Sequence, residues 1–193
     1  MKIRFAVIAI TLVLFAGVAK GDASKAAVCV ACHGTDGNSV NPIWPNLAGQ
    51  GAEYTVQQLN AFKTKKRNNA IMWPFASNLT EEDMWDLAIY YSKQKISISP
   101  SEAATSEDAM KLYRGGDQER LIPACTACHG PNGAGNGPAK YPSLRGQHAA
   151  YTELQLQAYK KGSRKHPMMQ AIAQKLSDED IKSMDLIPNL VSQ

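Results

Sequence analysis

The sequence predicts an all-α fold made of two tandem domains related by an internal duplication. A Cys-x-x-Cys-His pentapeptide occurs twice, at residues 29–33 and 125–129, and the segments that follow the two copies are similar to each other. Apolar residues recur at helical spacing after each copy, and no alternating polar and apolar run demands a sheet. The repeated unit is about 85 residues long, which indicates a duplicated domain rather than the shorter, more numerous units of a solenoid.

Residues 1–21 are expected to be a secretory signal peptide and are set apart from the fold. Two basic residues precede an apolar run at 5–19, and small residues follow at Ala19 and Gly21. The run is too short for a comfortable membrane span, although an uncleaved anchor is the alternative. Cleavage after Ala19 and cleavage after Gly21 both satisfy the pattern. The mature chain is therefore expected outside the cytoplasm.

Removal of this segment almost abolishes the net charge. The full chain has 21 basic and 17 acidic side chains, which gives a formal charge of +4. Three basic residues and no acidic ones lie within the first 21 positions, so the remainder has 18 basic and 17 acidic side chains, or +1. A nucleic-acid partner therefore has no electrostatic support. The basic run at 63–67 is expected to be a solvated helix end, because cations favour helix C-termini.

The repeats also set the domain boundaries. Their offset is 96 residues at the cysteine motifs and 97 after one inserted residue, where Pro-x-Leu-x-Gly-Gln recurs at 45–50 and 142–147. Serine and proline punctuate the stretch at 96–105, which is expected to be a linker. The N-terminal domain is therefore assigned to residues 22–95 and the C-terminal domain to residues 106–193.

Three helices are expected in each domain: one leading into the cysteine motif, one after a glycine-rich loop, and one starting at a capping box. The first helix is expected at residues 23–32 in the N-terminal domain and at 107–113 in the C-terminal domain. The second is expected at 53–65 and at 150–161. The last helix starts at Thr80 and at Ser177, each followed three residues later by an aspartate that completes the box. Pro188 falls in the second copy of the last helix, which is therefore expected to be shorter or kinked there.

The Cys-x-x-Cys-His spacing indicates covalent attachment of haem c. Its two thiols lie on one face of a helical turn, where they can bond to the two vinyl groups of one haem. The predicted thioether residues are Cys29, Cys32, Cys125 and Cys128. The adjacent His33 and His129 are then the proximal iron ligands. A redox dithiol, a zinc site or a disulfide is the alternative for one isolated motif, but repetition in register favours two haem groups.

Each iron has one further axial position, for which the repeat supplies matched methionines. Met72 and Met169 occupy equivalent positions, each seven residues before a leucine that precedes a capping box. Thioether sulfur is a soft donor, and His/Met ligation raises the reduction potential of a haem. Core packing is the alternative role for these methionines. Met168 competes for the second iron, and His166 is a further candidate in the same loop, although a lone loop histidine is usually just exposed.

These motifs together resemble the dihaem cytochromes c of the c4 type over nearly the whole mature chain. The resemblance depends on both Cys-x-x-Cys-His-Gly motifs, both Pro-x-Leu-x-Gly-Gln turns, Arg-Gly-Gly at 114–116, and the Met-then-Leu-Ser/Thr-x-Glu-Asp endings. It implies two class I cytochrome c domains with haem-packed cores, joined by a linker, with their haem propionate edges near each other. By position it implies His33 and Met72 on the first iron, and His129 and Met169 on the second.

The resemblance further implies a monomeric periplasmic electron carrier that is not an enzyme. Proteins of this type are taken to carry electrons from a quinol-oxidising complex to a terminal oxidase, and some are loosely held at the membrane. A cytochrome subunit of a periplasmic dehydrogenase is the first alternative. A dihaem enzyme, such as a peroxidase or a thiosulfate dehydrogenase, is the second. An enzyme requires an iron with an open or displaceable ligand, and the matched methionines argue against this.

Overall fold

The computed structural model describes residues 21–98 and 106–184, and these residues form helices and loops without a strand. The N-terminal half contains a 3-10 helix (Ala23–Val28) and helices α1 (Val30–His33), α2 (Ala52–Lys63), α3 (Met72–Ser77) and α4 (Glu81–Ser92). The C-terminal half contains α5 (Glu107–Gly115), α6 (Thr126–His129), α7 (Ala149–Lys160), α8 (Pro167–Ala173) and α9 (Asp178–Ser183). Sheet-type pairing in this part of the chain is limited to isolated bridges. The predicted all-α fold is confirmed.

Two helices were not predicted from the sequence, and both carry the matched methionines. Helix α3 begins at Met72, and α8 begins at Pro167, two residues before Met169. These helices have six and seven residues, which is too short for apolar periodicity to identify them. Proline at the first helical position is favourable because its fixed φ suits the helix and its missing N–H has no intrahelical partner there.

The last helix of each domain begins with the predicted capping box. Thr80 Oγ1 accepts a hydrogen bond from the Asp83 N–H (3.1 Å), and Asp83 accepts one from the Thr80 N–H (2.9 Å). Ser177 and Asp180 repeat this exchange at 3.0 and 2.7 Å. Helix α9 ends at Ser183 and has six residues, against twelve in α4. Pro188 lies outside the described residues, so a kink there stays a prediction.

A basic side chain ties each of these helices to the body of its domain, but the two come from different segments. Lys25, in the 3-10 helix, forms ion pairs with Asp83 (2.8 Å) and with Asp86 (2.6 Å). In the C-terminal domain, Arg120 lies in the loop between α5 and α6 and pairs with Asp180. The hydrogen bond from Lys25 is the main reason why the pKa of Asp83 lies well below its ordinary value.

Each domain has a small apolar core beside its cysteine motif. In the N-terminal domain Ala26, Leu87 and Tyr91 are buried together, and Cys29 packs against them. In the C-terminal domain the buried cluster is Ala109, Leu112, Tyr113, Ile122, Leu176, Ile181 and Met184. Cys125 packs against this second cluster. Domains of this length have thin cores by themselves, and a haem attached at these cysteines would extend each core.

Two glutamines join the domains in a reciprocal manner. Gln147 accepts a hydrogen bond from the Asn46 backbone N–H (2.9 Å) and donates one to the Asn46 carbonyl (3.0 Å). Gln50 makes the same two bonds with Ser143, at 2.9 and 3.0 Å. These are equivalent positions of the two Pro-x-Leu-x-Gly-Gln motifs. The interface is therefore pseudo-twofold, because each half offers the same surface to the other.

The chain that leaves the N-terminal domain packs closely against this interface. Gly146 has a φ of +67°, and a Cβ built on it would lie 2.3 Å from Ile96 Cγ1, so only glycine fits there. The Ser97 N–H donates to Asn38 Oδ1 at 2.8 Å. The start of the predicted linker at 96–105 is thus packed, and residues 99–105 lie outside the described residues. The predicted signal peptide likewise lies outside them, apart from Gly21.

Candidate haem sites

The two Cys-x-x-Cys-His motifs each fold as one helical turn, as their spacing predicts. The His33 N–H donates to the Cys29 carbonyl at 2.9 Å, and the His129 N–H donates to the Cys125 carbonyl at the same distance. Helices α1 and α6 are these turns, and each has four residues. One short turn therefore holds both thiols and the imidazole of each motif.

Both imidazoles are buried and oriented by a backbone carbonyl. His33 and His129 are 6% and 7% exposed. Their Nδ1 atoms lie 2.8 Å from the Pro45 carbonyl oxygen and 2.9 Å from that of Pro142. A carbonyl only accepts, so Nδ1 carries the proton and Nε2 keeps its lone pair. Burial lowers the pKa of both histidines, which keeps the rings neutral. Donation of the Nδ1 proton to a backbone carbonyl is typical of metal-ligating histidine.

The four cysteines have the chemistry of attachment points rather than of a redox dithiol. No disulfide joins any of the four, and all have intermediate exposure. Burial raises the pKa of Cys29, and it raises the pKa of Cys125 to about 11. A reactive dithiol needs a lowered thiol pKa. Within residues 21–98 and 106–184, no three His, Cys, Asp or Glu side chains form a metal-binding group, so the zinc alternative finds no support there.

Unsatisfied polar groups beside the motifs fit a cofactor that is apolar with polar edges. Tyr91 Oη is buried without a hydrogen-bond partner, and Tyr91 belongs to the cluster against which Cys29 packs. Arg145 Nε is also buried without a partner, three residues after the proline whose carbonyl holds His129. Buried polar groups are normally paired, and a haem with two propionates could supply acceptors for such donors.

The matched methionines lie at the start of short helices and are half-buried. Met72 is the first residue of α3, and its N–H donates to Asn69 Oδ1 at 2.8 Å. Met169 is the third residue of α8, and its N–H donates to His166 Nδ1 at 3.3 Å. The competing Met168 is 44% exposed, whereas Met169 is less exposed. His166 therefore acts here as a cap for the methionine turn.

Sequence reasoning missed a pair of arginines at the domain interface. Arg67 was expected to lie in a solvated helix end, and this interpretation is wrong for Arg67, although the lysines of that run are exposed. Arg67 and its equivalent Arg164 each donate hydrogen bonds to a tyrosine and a glutamine of the other domain. Their acceptors are Tyr54, Gln58, Tyr151 and Gln155. All six residues recur at the 97-residue offset, which is the signal that could have revealed the interface.

The fold and the two motif turns define a c-type cytochrome with two haem sites. The chain belongs to the cytochrome c family, whose model, described as cytochrome c, matches residues 18–95 and 107–184. It is similar to cytochrome c4 of Stutzerimonas stutzeri, with 41% identity over 182 residues that cover 88% of this chain and 87% of the relative. The predicted resemblance to the c4 type is confirmed.

Two further comparisons extend this result. The crystal structure of reduced recombinant cytochrome c4 from Pseudomonas stutzeri has a TM-score of 0.82 and 40% identity, and the match covers 87% of this chain and 98% of that chain. A protein named thiosulfate dehydrogenase electron acceptor, from Thiomonas intermedia, is 39% identical over 168 residues, or 83% of this chain and 76% of the relative. The chain is therefore an electron-transfer protein with two haem c groups, and not an enzyme. No helix among the described residues is long and apolar enough to cross a membrane.

Proposed function

We propose that this chain shuttles single electrons in the periplasm, with His33 and Met72 on the first iron and His129 and Met169 on the second. The haem groups supply the one-electron chemistry when bound. The chain would attach them through its four cysteines, present a neutral imidazole to each iron and shield the irons from water. Both irons would then be six-coordinate, which suits electron transfer rather than ligand activation.

The observation that carries this proposal is the protonation and orientation of the two buried imidazoles. Each Nδ1–H is held by a proline carbonyl at 2.8 or 2.9 Å, so each Nε2 is free to coordinate. The methionine assignment has weaker support. It depends on the equivalent positions of Met72 and Met169, and on the exposure of Met168 relative to Met169.

The test is an optical spectrum of the reduced, haem-loaded protein with and without carbon monoxide. We expect no spectral change, because His33 and Met72 would hold the first iron and His129 and Met169 the second, which leaves no position open to carbon monoxide. Ready binding of carbon monoxide at one haem would overturn the carrier assignment. Assays with peroxide and sulfur substrates would then follow.

The proposed route runs from a quinol-oxidising complex to a terminal oxidase, with the chain acting as a monomer that adheres loosely to the membrane. Similarity to a protein named thiosulfate dehydrogenase electron acceptor favours a second candidate donor, a periplasmic dehydrogenase. Stopped-flow mixing distinguishes these two candidate electron donors. The oxidised protein is mixed either with a quinol-oxidising complex or with a thiosulfate dehydrogenase and its substrate, and the donor that reduces it within milliseconds is the physiological class. Cleavage of residues 1–21 is checked by mass spectrometry of the exported chain.

A further inference from the structure

The two interface arginines form one closed hydrogen-bond cluster. Arg67 Nη1 donates to Gln58 Oε1 (3.0 Å), and Arg164 Nη2 donates to the same oxygen (2.8 Å). Gln155 Oε1 likewise accepts from Arg164 Nη1 (2.8 Å) and from Arg67 Nη2 (2.7 Å). Two cations thus share two neutral oxygens, one from each domain. This sharing brings the two positive charges together where the domains meet.

The cluster is closed at its outer ends by aromatic side chains. Arg67 Nη2 donates to Tyr151 Oη, and Arg164 Nη2 donates to Tyr54 Oη, both at 2.7 Å. Each guanidinium also lies over a ring of its own domain: Arg67 is 4.5 Å from the Phe62 centroid, and Arg164 is 4.6 Å from the equivalent tyrosine centroid. Burial opposes ionisation of Tyr151, but the charges of Arg67 and Arg164 lower its pKa, as expected where two guanidinium groups lie beside one hydroxyl.

No aspartate or glutamate among the described residues pairs with this cluster, so the protein part of the interface carries two positive charges there. Arg164 is 6% exposed and Arg67 is half-buried. Buried charges are screened by salt much less than exposed ones, and their field reaches further into the protein.

We infer that Arg67 and Arg164 hold a fixed positive charge between the two haem sites that raises the reduction potentials of both haems. This inference rests on the proposed function. Each arginine lies five residues before the candidate methionine ligand of its own domain, and each is bonded to the other domain. Reduction adds one negative charge to a haem, and a nearby cation stabilises the reduced form. Because the charges are shared across the interface, they act on both haems.

The test is a potentiometric titration of the holoprotein, followed by absorbance, for Arg67→Gln and Arg164→Gln. We expect both steps of the titration to move to lower potential in each single variant. Arg67→Lys and Arg164→Lys keep the charge and should leave the potentials close to those of the wild type. Lys66→Gln and Lys165→Gln remove the same charge from exposed neighbours. Their smaller shift should disappear at high salt, whereas the shift of the arginine variants should persist.

A second pair of variants separates the charge from the integrity of the interface. Tyr54→Phe with Tyr151→Phe removes both interdomain tyrosine bonds and keeps both guanidinium groups, so the potentials should stay unchanged. The inference is overturned if they fall as far as in the glutamine variants. It is also overturned if the glutamine variants show no shift, or a shift in only one step, or if the lysine variants shift equally. Failure of the proposed function would be detected by a different measurement. The wild-type protein would then bind carbon monoxide.

Discussion

The proximal histidines show how a short motif depends on residues outside it. The pentapeptide brings an imidazole beside two thiols, but the carbonyl that fixes the ring comes from a proline twelve or thirteen residues further on. That proline opens the Pro-x-Leu-x-Gly-Gln turn, whose glutamine bonds the other domain. The same turn therefore orients a candidate iron ligand at one end and joins the two halves at the other.

Truncation of the candidate sixth ligand should open one iron. In Met169→Ala the second iron would lose its proposed sulfur ligand, so the reduced protein should bind carbon monoxide at one haem of two. Met168→Ala is the matched control, and it should not bind carbon monoxide because that side chain is directed to solvent. The measurement is the optical spectrum under carbon monoxide. Binding by the Met168 variant alone would move the ligand assignment to Met168.

At the level of elements, the capping boxes of α4 and α9 have a measurable contribution to stability. Thr80→Ala and Ser177→Ala each remove an acceptor for a helix N–H and should cost about 1 kcal/mol of the free energy of unfolding. The control is Thr64→Ala, whose hydroxyl donates to a carbonyl in an exposed position and should cost less than about 0.5 kcal/mol. Urea denaturation followed by circular dichroism measures these differences. Equal losses in all three variants would contradict a specific capping effect.

The ion pair of Asp83 predicts a pH dependence of stability. Its pKa is lowered in the folded state, chiefly by the hydrogen bond from Lys25, so its contribution is fully present above the unfolded value of 3.8. The contribution is lost as the pH falls through the lower folded pKa. The difference in unfolding free energy between the wild type and Asp83→Asn should therefore be constant near neutral pH and shrink below about pH 4.

Acid denaturation series of the two proteins provide this measurement. Glu82→Gln removes a fully exposed carboxylate of the same turn, and it serves as the control with a small effect at all pH values. A difference that grows as the pH falls would contradict the assigned role of Asp83.

The helices that the sequence predicted are those with long apolar periodicity or a strong start signal. The second helix and the capping boxes meet these conditions, and α2, α7, α4 and α9 lie at or near the expected positions. Helices α3 and α8 could not be predicted in this way, because helices of six or seven residues are too short to show the apolar periodicity of a helix. The candidate ligand residues could be chosen from the repeat alone, whereas their burial and their hydrogen bonds depend on the folded loop.

At the level of the whole molecule, the glutamine exchange predicts how the domains hold together. Gln147→Ala removes two hydrogen bonds to the Asn46 backbone, and each net bond contributes about 1 kcal/mol. Amide exchange at Asn46 should therefore be about tenfold faster or more, with the rest of the N-terminal domain still protected. The matched control is Gln57→Ala, whose side chain is exposed on α2. Unchanged protection of Asn46 would show that other contacts dominate the interface.

The domain interface could not be predicted from the sequence, although some of its residues had been identified as repeated positions. Gln50 and Gln147 were identified as repeated positions, but repetition alone cannot tell a core residue from a contact between copies. Arg67 was assigned to a solvated helix end because cations favour helix C-termini. Only the fold shows that the chain turns after α2 and brings this guanidinium back to the other domain.

The reciprocal glutamine pairing makes this molecule, in effect, a homodimer whose two subunits have been fused. A surface that binds its own copy can do so between separate chains only at sufficient concentration. A short connection raises the effective concentration of one half around the other to the millimolar range. A weak, polar and hydrogen-bonded contact is then enough to keep the pair assembled. After fusion each half could also change independently. Lys25 and Arg120 are an example, because they form ion pairs with equivalent helices but come from segments that do not correspond in the two halves.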